Sequence, residues 1–398
     1  MLRIVFLGEL DCGKSTLMGR LLYDTQSLSN EAKEEFMKVS QELGKDLEFA
    51  YLLDSFEEER KGEFTLDTTQ AFMRYKNREY LLIDVPGHKE LIRNMLTGSS
   101  YANLAIVVCD VEKSLEEQTR RHIYLLKFLG IDEFMVVVNK MDKVGYDNSA
   151  FEKVKKEIGD FLEALNLKPL CIIPVSAKPG ENIKGVSEKM GWCKDYFLLQ
   201  AIEGFSVKKE KSQNFRFPIQ DIYIFEKKEI VVGTVASGNL QVKDKVKVAP
   251  EEITVQIEEI MVLNKKKKEA KPHESIGLIL DKKRIFRRGQ VIYKEPSPQV
   301  TSEFPAEIFS LCPVSQSEEF LFKSNTQKCL CRIFKINEVI DTVSLKKRFT
   351  GELEYAETAK VILKTERPLV IEKFSQTPEL GRFILHKNGK VYAIGIIP

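Results

Sequence analysis

The 398-residue chain contains no apolar run that approaches the roughly eighteen residues of a membrane helix, and no signal peptide precedes Leu2. Both absences predict a cytoplasmic protein with no membrane partner. Charge of one sign is missing as well: 61 basic and 59 acidic side chains leave a formal net charge of +2. No global field therefore argues for nucleic acid as a partner. The seven cysteines show neither metal-ligand nor disulfide spacing. Cys329 and Cys331 would share one face of a strand and behave as small buried hydrophobes in a reducing compartment. His122, His273 and His386 stand apart from one another and from other ligand types, and read as surface or packing residues.

What the chain does have begins at its start. Residues 8 to 15 read GELDCGKS, directly after the apolar stretch Leu2 to Leu7 and directly before an amphipathic stretch from Thr16 to Asp24. The order strand, glycine-rich loop, helix turns a GxxxxGKS pattern into a phosphate cradle. Gly8 and Gly13 let the backbone curl so that successive N–H groups face a polyphosphate, with Asp11, Cys12 and Thr16 completing the loop. Lys14 can reach the β and γ oxygens, and Ser15 can ligate Mg²⁺.

Three further stretches follow, each at the end of an apolar run. DVPGH, Asp84 to His88, closes the strand expected from Tyr80 to Ile83, which puts Asp84 at the carboxyl edge of a sheet as an outer Mg²⁺ residue. The Gly87 N–H can meet a γ-phosphate, and His88 lies within reach of a water in line with it. NKMD, Asn139 to Asp142 with Lys140 between, closes a strand from Phe134 to Val138. An aspartate there accepts two hydrogen bonds from guanine N1–H and its exocyclic amine. Adenine has no matching pair of donors and would leave that charged bond unmade at a cost of about 1.5–3 kcal/mol, so the motif favours GTP. SAK, Ser176 to Lys178 with Ala177 between, follows the strand Cys171 to Val175 and offers backbone N–H groups to guanine O6.

Before Phe205 apolar strands alternate with amphipathic helices such as Glu116 to Leu129 and Phe151 to Leu165. That alternation predicts a mostly parallel sheet covered by helices on both faces. After it, short β-branched segments recur between turn signals. The expected fold is thus an α/β P-loop domain over residues 1–205, followed by all-β segments after a polar linker at 206–214. Residues 205–300 hold 20 basic and 13 acidic side chains, but the run Lys265 to Lys268 lacks interleaved aromatics and reads as a solvated hairpin tip.

Residues 1–205 resemble the G domain of the translation-factor class of GTPases, and the later segments RFPIQDIY (216–223), VVGTVASGNLQVKDKVKVAP (231–250) and GRFILHKNGKVYAIGII (381–397) resemble its two barrels. The resemblance implies an α/β P-loop GTPase domain over 1–205 followed by two all-β barrel domains over 206–297 and 298–398. STLMGRLLYDT (15–25) and EQTRRH (117–122) are more typical of the GTPase subunits of bacterial heterodimeric sulfate adenylyltransferase, and TLDTTQ (65–70) and MGWCKDYFLLQAIEGF (190–205) also carry that resemblance. Archaeal and eukaryotic elongation factor 1A shares the long stretch 23–64 and is the nearest competitor. The resemblance implies GTP and Mg²⁺ as cofactors, Mg²⁺ held by Ser15 and Thr65 with Asp84 behind them, and hydrolysis served by Lys14, Thr65 and His88. It implies a smaller adenylyltransferase catalytic subunit as partner, with GTP hydrolysis coupled to adenylyl sulfate synthesis from ATP and sulfate. An elongation factor carrying aminoacyl-tRNA is the first alternative, and a GTP-gated binding module with little hydrolysis the second. The chain departs from the family pattern in the switch, where Glu63 and Phe64 replace glycine and isoleucine. It departs again at Leu10, which faces Phe64 in the hydrophobic gate, and at Lys243, which replaces a turn glycine and predicts a rebuilt turn.

Overall fold

The computed structural model describes residues 1–28, 34, 49, 69–84, 102–113, 115–194, 196–206, 214–225, 228–262, 265–282 and 286–398. Thr65, Gly87 and His88 lie outside the described residues, as do Glu63, Phe64 and the core of the expected linker. Chain contacts divide the protein into two compact units, Met1–Lys208 and Lys209–Pro398.

The first unit is built on a six-stranded sheet. Its elements are β1 (Leu2–Gly8), α1 (Lys14–Asp24), β2 (Gln70–Tyr75), β3 (Arg78–Asp84), β4 (Leu104–Asp110), α2 (Glu117–Phe128), β5 (Phe134–Asn139), α3 (Asn148–Ala164), β6 (Ile172–Pro174) and α4 (Leu198–Gly204). The strand order is β2-β3-β1-β4-β5-β6. Only the β2–β3 hairpin is antiparallel; every other pairing is parallel. The central strands β4 and β5 are buried along their whole length, as expected where both faces of a parallel sheet are covered. One face packs Phe6, Ile106 and Val137 against Leu17, Leu21 and Leu22 of α1 and Leu198 and Ile202 of α4. Helix α2 packs on β1 and β4, and α3 on β5.

Local sequence explains these helices. In α3 the buried residues Phe151, Val154, Ile158, Phe161 and Leu162 repeat at helical spacing, and the Asp147 carboxylate caps the start by accepting the Ala150 N–H at 3.1 Å. Helix α1 starts two residues earlier than its apolar pattern suggests. Gly13, at φ 92°, ends the loop in a left-handed conformation and Lys14 is already helical.

The second unit contains both barrels. In the first, a seven-stranded sheet runs in the order Lys245–Ala249, Val291–Tyr293, Arg216–Phe225, Lys228–Thr234, Ser275–Leu280, Ile253–Val262, Lys265–Lys267. It closes because Lys245–Val248 also pairs with Ile253–Gln256. In the second, the order is Glu319–Ser324, Arg382–Lys387, Lys390–Ile396, Gln299–Ser310, Glu357–Ile371, Gln327–Asp341, Lys347–Arg348. Pairing of Glu319–Ser324 with Gln327–Arg332 closes that one. An α/β domain on a mostly parallel sheet followed by two β-barrels is therefore the observed architecture. Cys329 and Cys331 are both buried inside the second barrel on the same strand face. At its end, Asn388 (φ 49°) and Gly389 (φ 78°) make the tight turn between Lys387 and Lys390. Among the described residues no helix is long and apolar enough to cross a membrane.

Two expectations for the first barrel need correction. Lys265–Lys267 is not a hairpin tip but a short exposed strand paired with Ile260–Val262. Two of its three lysines are paired with neighbours, Lys266 meeting Glu259 at 2.9 Å and Lys267 meeting Glu274 at 2.6 Å. The turn at Lys243 is not rebuilt either: the lysine adopts φ 75°. Its N–H donates to the Ile257 carbonyl at 2.8 Å and its carbonyl accepts the Gln256 side-chain amide at 3.0 Å, which holds the strained conformation. Left-handed backbone costs a side-chain-bearing residue about 1–2 kcal/mol, and glycine's extra unfolded-state entropy returns about 0.5–1 of that. Lys243→Gly is expected to stabilise the barrel by about 0.5–1 kcal/mol, read as a raised urea midpoint. An unchanged or lowered midpoint would show that no strain is stored there.

Candidate functional site

The loop between β1 and α1 lies at the carboxyl edge of the parallel sheet, where the chain turns from the β3 side to the β4 side of β1. Open α/β sheets bind ligands at that position. Gly8 has φ 150°, and a Cβ there would lie 2.3 Å from the Val108 carbonyl oxygen of β4. At Gly13 a Cβ would meet the Asn139 side-chain amide at 2.4 Å. Both glycines are thus dictated by close approach as well as by backbone angle. The Lys14 ammonium is nearly buried and donates to the carbonyls of Gly8 (3.1 Å) and Glu9 (2.8 Å). Beside it, burial pushes the Cys12 thiol up to about 11 against the pull of Lys14, so Cys12 packs as a neutral group.

Ser15, in the first turn of α1, donates its hydroxyl to the Asp84 carboxylate at 2.8 Å. Asp84 ends β3 and is 8% exposed. A hydroxyl backed by a carboxylate is the hard-oxygen pair that suits Mg²⁺. The sequence expectation that these two residues come together is what the geometry contains.

A second cluster is assembled around Asn139, buried at the end of β5. Its side-chain amide donates to the Cys12 carbonyl at 2.9 Å, and its oxygen accepts the Ala177 N–H at 3.0 Å. One residue thereby ties the phosphate loop to the SAK segment. Lys140 adopts φ 65° and carries its ammonium to the Asp11 carbonyl and to the Asp110 carboxylate, 2.7 Å away. Asp142 is the second residue of the 3₁₀ turn Met141–Val144, is solvent-exposed, and accepts a hydrogen bond from the buried Ser176 hydroxyl. Ala177 is buried, whereas Lys178 is exposed and its carbonyl accepts Arg20 at 3.4 Å. Behind the turn, the Trp192 indole N–H donates to the Tyr146 carbonyl at 3.0 Å and its ring lies 5.3 Å from that of Phe151. This gives the MGWC segment a bracing role. Leu10 is 70% exposed at the loop's rim, and its expected gate partner Phe64 lies outside the described residues.

Sequence reasoning missed three residues that shape the loop. Asp110, 2% exposed at the end of β4, holds Lys140. Glu9 accepts the Gln118 N–H from the first turn of α2 at 3.2 Å. His122 is fully buried on α2 and its Nδ1 accepts the Gly8 N–H at 3.2 Å. It packs, as expected, but it is not isolated from the site. A signal for it existed: Thr119, His122, Ile123 and Leu126 are spaced as one buried helical stripe, so the histidine had to face the sheet.

Residues 1–206 match the family described as the elongation factor Tu GTP binding domain, and residues 303–398 match the GTP-eEF1A C-terminal domain-like family. The chain belongs to the elongation factor Tu/1A class of GTPases. Elongation factor 1-alpha from Archaeoglobus fulgidus is 33% identical over 100% of this chain and 97% of its own length. Sulfate adenylyltransferase subunit 1 from Francisella tularensis subsp. tularensis is 30% identical over 97% of this chain and 83% of its own. Among solved structures, sup35 complexed with GDP covers 100% of this chain and 93% of its own, at 21% identity and a TM-score of 0.45. The protein is a GTP-binding GTPase of the translation-factor type. The sulfate adenylyltransferase resemblance stands beside that to elongation factor 1-alpha rather than above it.

Proposed function

We propose that this GTPase is a nucleotide-gated carrier that holds aminoacyl-tRNA through its barrels in the GTP form and releases it after hydrolysis. The observation that carries the reading is the whole-length match to elongation factor 1-alpha, which extends over nearly all of both chains. A net charge near zero limits only the global field, and a carrier needs local contacts.

Within the site, Asp142 reads guanine, with Asn139 and Ala177 holding the pocket that frames it, while Gly8, Gly13 and the loop between them cradle the phosphates. Lys14 leaves its two carbonyls to meet the β and γ oxygens. Mg²⁺, when bound, would neutralise charge developing at the β–γ bridge. Ser15 and Thr65 would hold it, with Asp84 behind them. His88 orients the attacking water, and Gly87 and Thr65 sense the γ-phosphate, so its loss releases both segments together.

A second reading, coupling of GTP hydrolysis to adenylyl sulfate synthesis on a smaller adenylyltransferase subunit, is favoured by the Francisella relative. The chain has a single phosphate loop and no HxGH pair for ATP, so in that reading it supplies no adenylyl transfer itself. The deciding measurement is binding of aminoacyl-tRNA to the GTP-loaded and GDP-loaded chain at several salt concentrations. Binding confined to the GTP form and falling steeply with salt is expected. No RNA binding in either form, with adenylyl sulfate made on mixing with a small adenylyltransferase, ATP, sulfate and GTP, would replace the carrier by the second reading.

A further inference from the structure

We infer that His122 is a positioning residue for the phosphate loop, acting through the Gly8 peptide. The inference rests on the nucleotide-site reading above and assigns that site a part on α2, outside the four sequence motifs. Gly8 is the first residue of the loop, and the peptide groups on both sides of its Cα are held. Its N–H donates to His122 Nδ1 at 3.2 Å, and its carbonyl accepts the Lys14 ammonium at 3.1 Å. An imidazole that accepts at Nδ1 carries its proton on Nε2, so the neutral ring supplies one acceptor aimed at one backbone donor. The next residue is pinned to the same helix, since the Glu9 carboxylate accepts the Gln118 N–H at 3.2 Å while the Glu9 carbonyl accepts Lys14 at 2.8 Å. Helix α2 therefore sets the orientation of the two carbonyls on which Lys14 rests, and so the place from which its ammonium reaches a phosphate. Because His122 is fully buried, water cannot replace it as the acceptor for Gly8.

Two variants separate the acceptor from the bulk. His122→Asn keeps an oxygen near the position of Nδ1; His122→Leu fills space and offers no acceptor. Both are checked for the parent's circular dichroism, and GDP and guanosine affinities are measured by titration. In His122→Leu, GDP affinity is expected to fall on the order of tenfold, the scale of an unsatisfied buried donor. Guanosine affinity stays unchanged, because Asn139 and Asp142 are not touched. His122→Asn should restore GDP binding. Protection of the Gly8 amide from hydrogen exchange should be lost in His122→Leu and retained in His122→Asn. Parental GDP affinity in His122→Leu would overturn the inference, as would equal loss in both variants or a parallel loss for guanosine. A parent chain that binds no GDP would overturn the nucleotide-site reading itself, whereas a binding parent with an indifferent Leu variant overturns this inference alone.

Discussion

Asp142→Asn is expected to convert the site from guanine to xanthine nucleotides. The Asp142 carboxylate stands exposed in its 3₁₀ turn, braced by Ser176 and preceded in the chain by the anchored residues Asn139 and Lys140. Guanine offers it two donors, N1–H and the exocyclic amine. An asparagine there keeps one acceptor and turns a donor toward the amine, so both charged hydrogen bonds are lost or weakened. At about 1.5–3 kcal/mol each, GTP affinity should fall about 10²- to 10⁴-fold. Xanthosine triphosphate carries an oxygen where guanine has the amine, and that oxygen accepts from the new amide. The turn should survive, because the Ser176 hydroxyl can accept from an amide as readily as it donates to a carboxylate. Competition titrations with the two nucleotides decide the matter: unchanged GTP affinity, or loss of GTP without gain of the xanthine nucleotide, would remove Asp142 from the base pocket.

The motifs were legible because each records a physical collision or a specific bond. Gly8 and Gly13 are required by a carbonyl and a side-chain amide that sequence reading cannot see, yet the strand–loop–helix order around them implies close approach of some kind. Asn139, Asp142 and Ser176 were likewise placed at strand ends by the apolar runs before them. What escaped was the support from elsewhere in the chain. Asp110 ends a strand with no recognisable motif, and its role appears only once β4 and β5 are paired in parallel and Lys140 reaches across. His122 is separated from Gly8 by 114 positions, a distance over which helical spacing says that a side chain is buried but not against what.

In the barrels the alternation of β-branched residues gave strands but not their lengths. The apolar stretch Ala359–Leu363 is only part of the strand Glu357–Ile371, because neighbouring strands supply hydrogen-bond partners to polar residues beyond it such as Lys364 and Thr365. Lys243 failed for a different reason: local strain of about 1–2 kcal/mol is smaller than the sum of contacts that fix a barrel, so the turn kept its shape and the residue bore the cost.

Arg216→Met alone is expected to destabilise the second unit by about 3–5 kcal/mol, the range for breaking a buried ion pair by removing one partner. Arg216 is fully buried in the first strand of the first barrel, and Glu372, 9% exposed, follows the long strand of the second. The guanidinium donates twice to Glu372 Oε1, through Nε at 2.7 Å and through Nη2. Its remaining donors reach the carbonyls of Phe215 (2.9 Å), Lys294 (2.8 Å) and Pro296 (2.7 Å). All five N–H groups are thus placed, and the Tyr293 ring lies 5.7 Å below the charge. Ala249, Val291, Tyr293, Val370 and Leu380 form the apolar cluster in which the pair is set. Methionine would leave a carboxylate without its cation and take a donor from three carbonyls, of which only that of Phe215 keeps another, the Lys294 N–H at 3.3 Å, and this is a larger loss than the missing attraction alone. The double variant Arg216→Met with Glu372→Leu removes both charges and should recover much of the stability, since well-packed apolar replacements of buried pairs are often neutral. Urea unfolding of the full chain, followed by hydrogen exchange on strands of both barrels, tests the pair. A single variant that unfolds within about 1 kcal/mol of the parent would place the pair among contacts as weak as surface salt bridges. A double variant no better than the single one would locate the loss in the unsatisfied carbonyls of residues 294 and 296 rather than in the stranded charge.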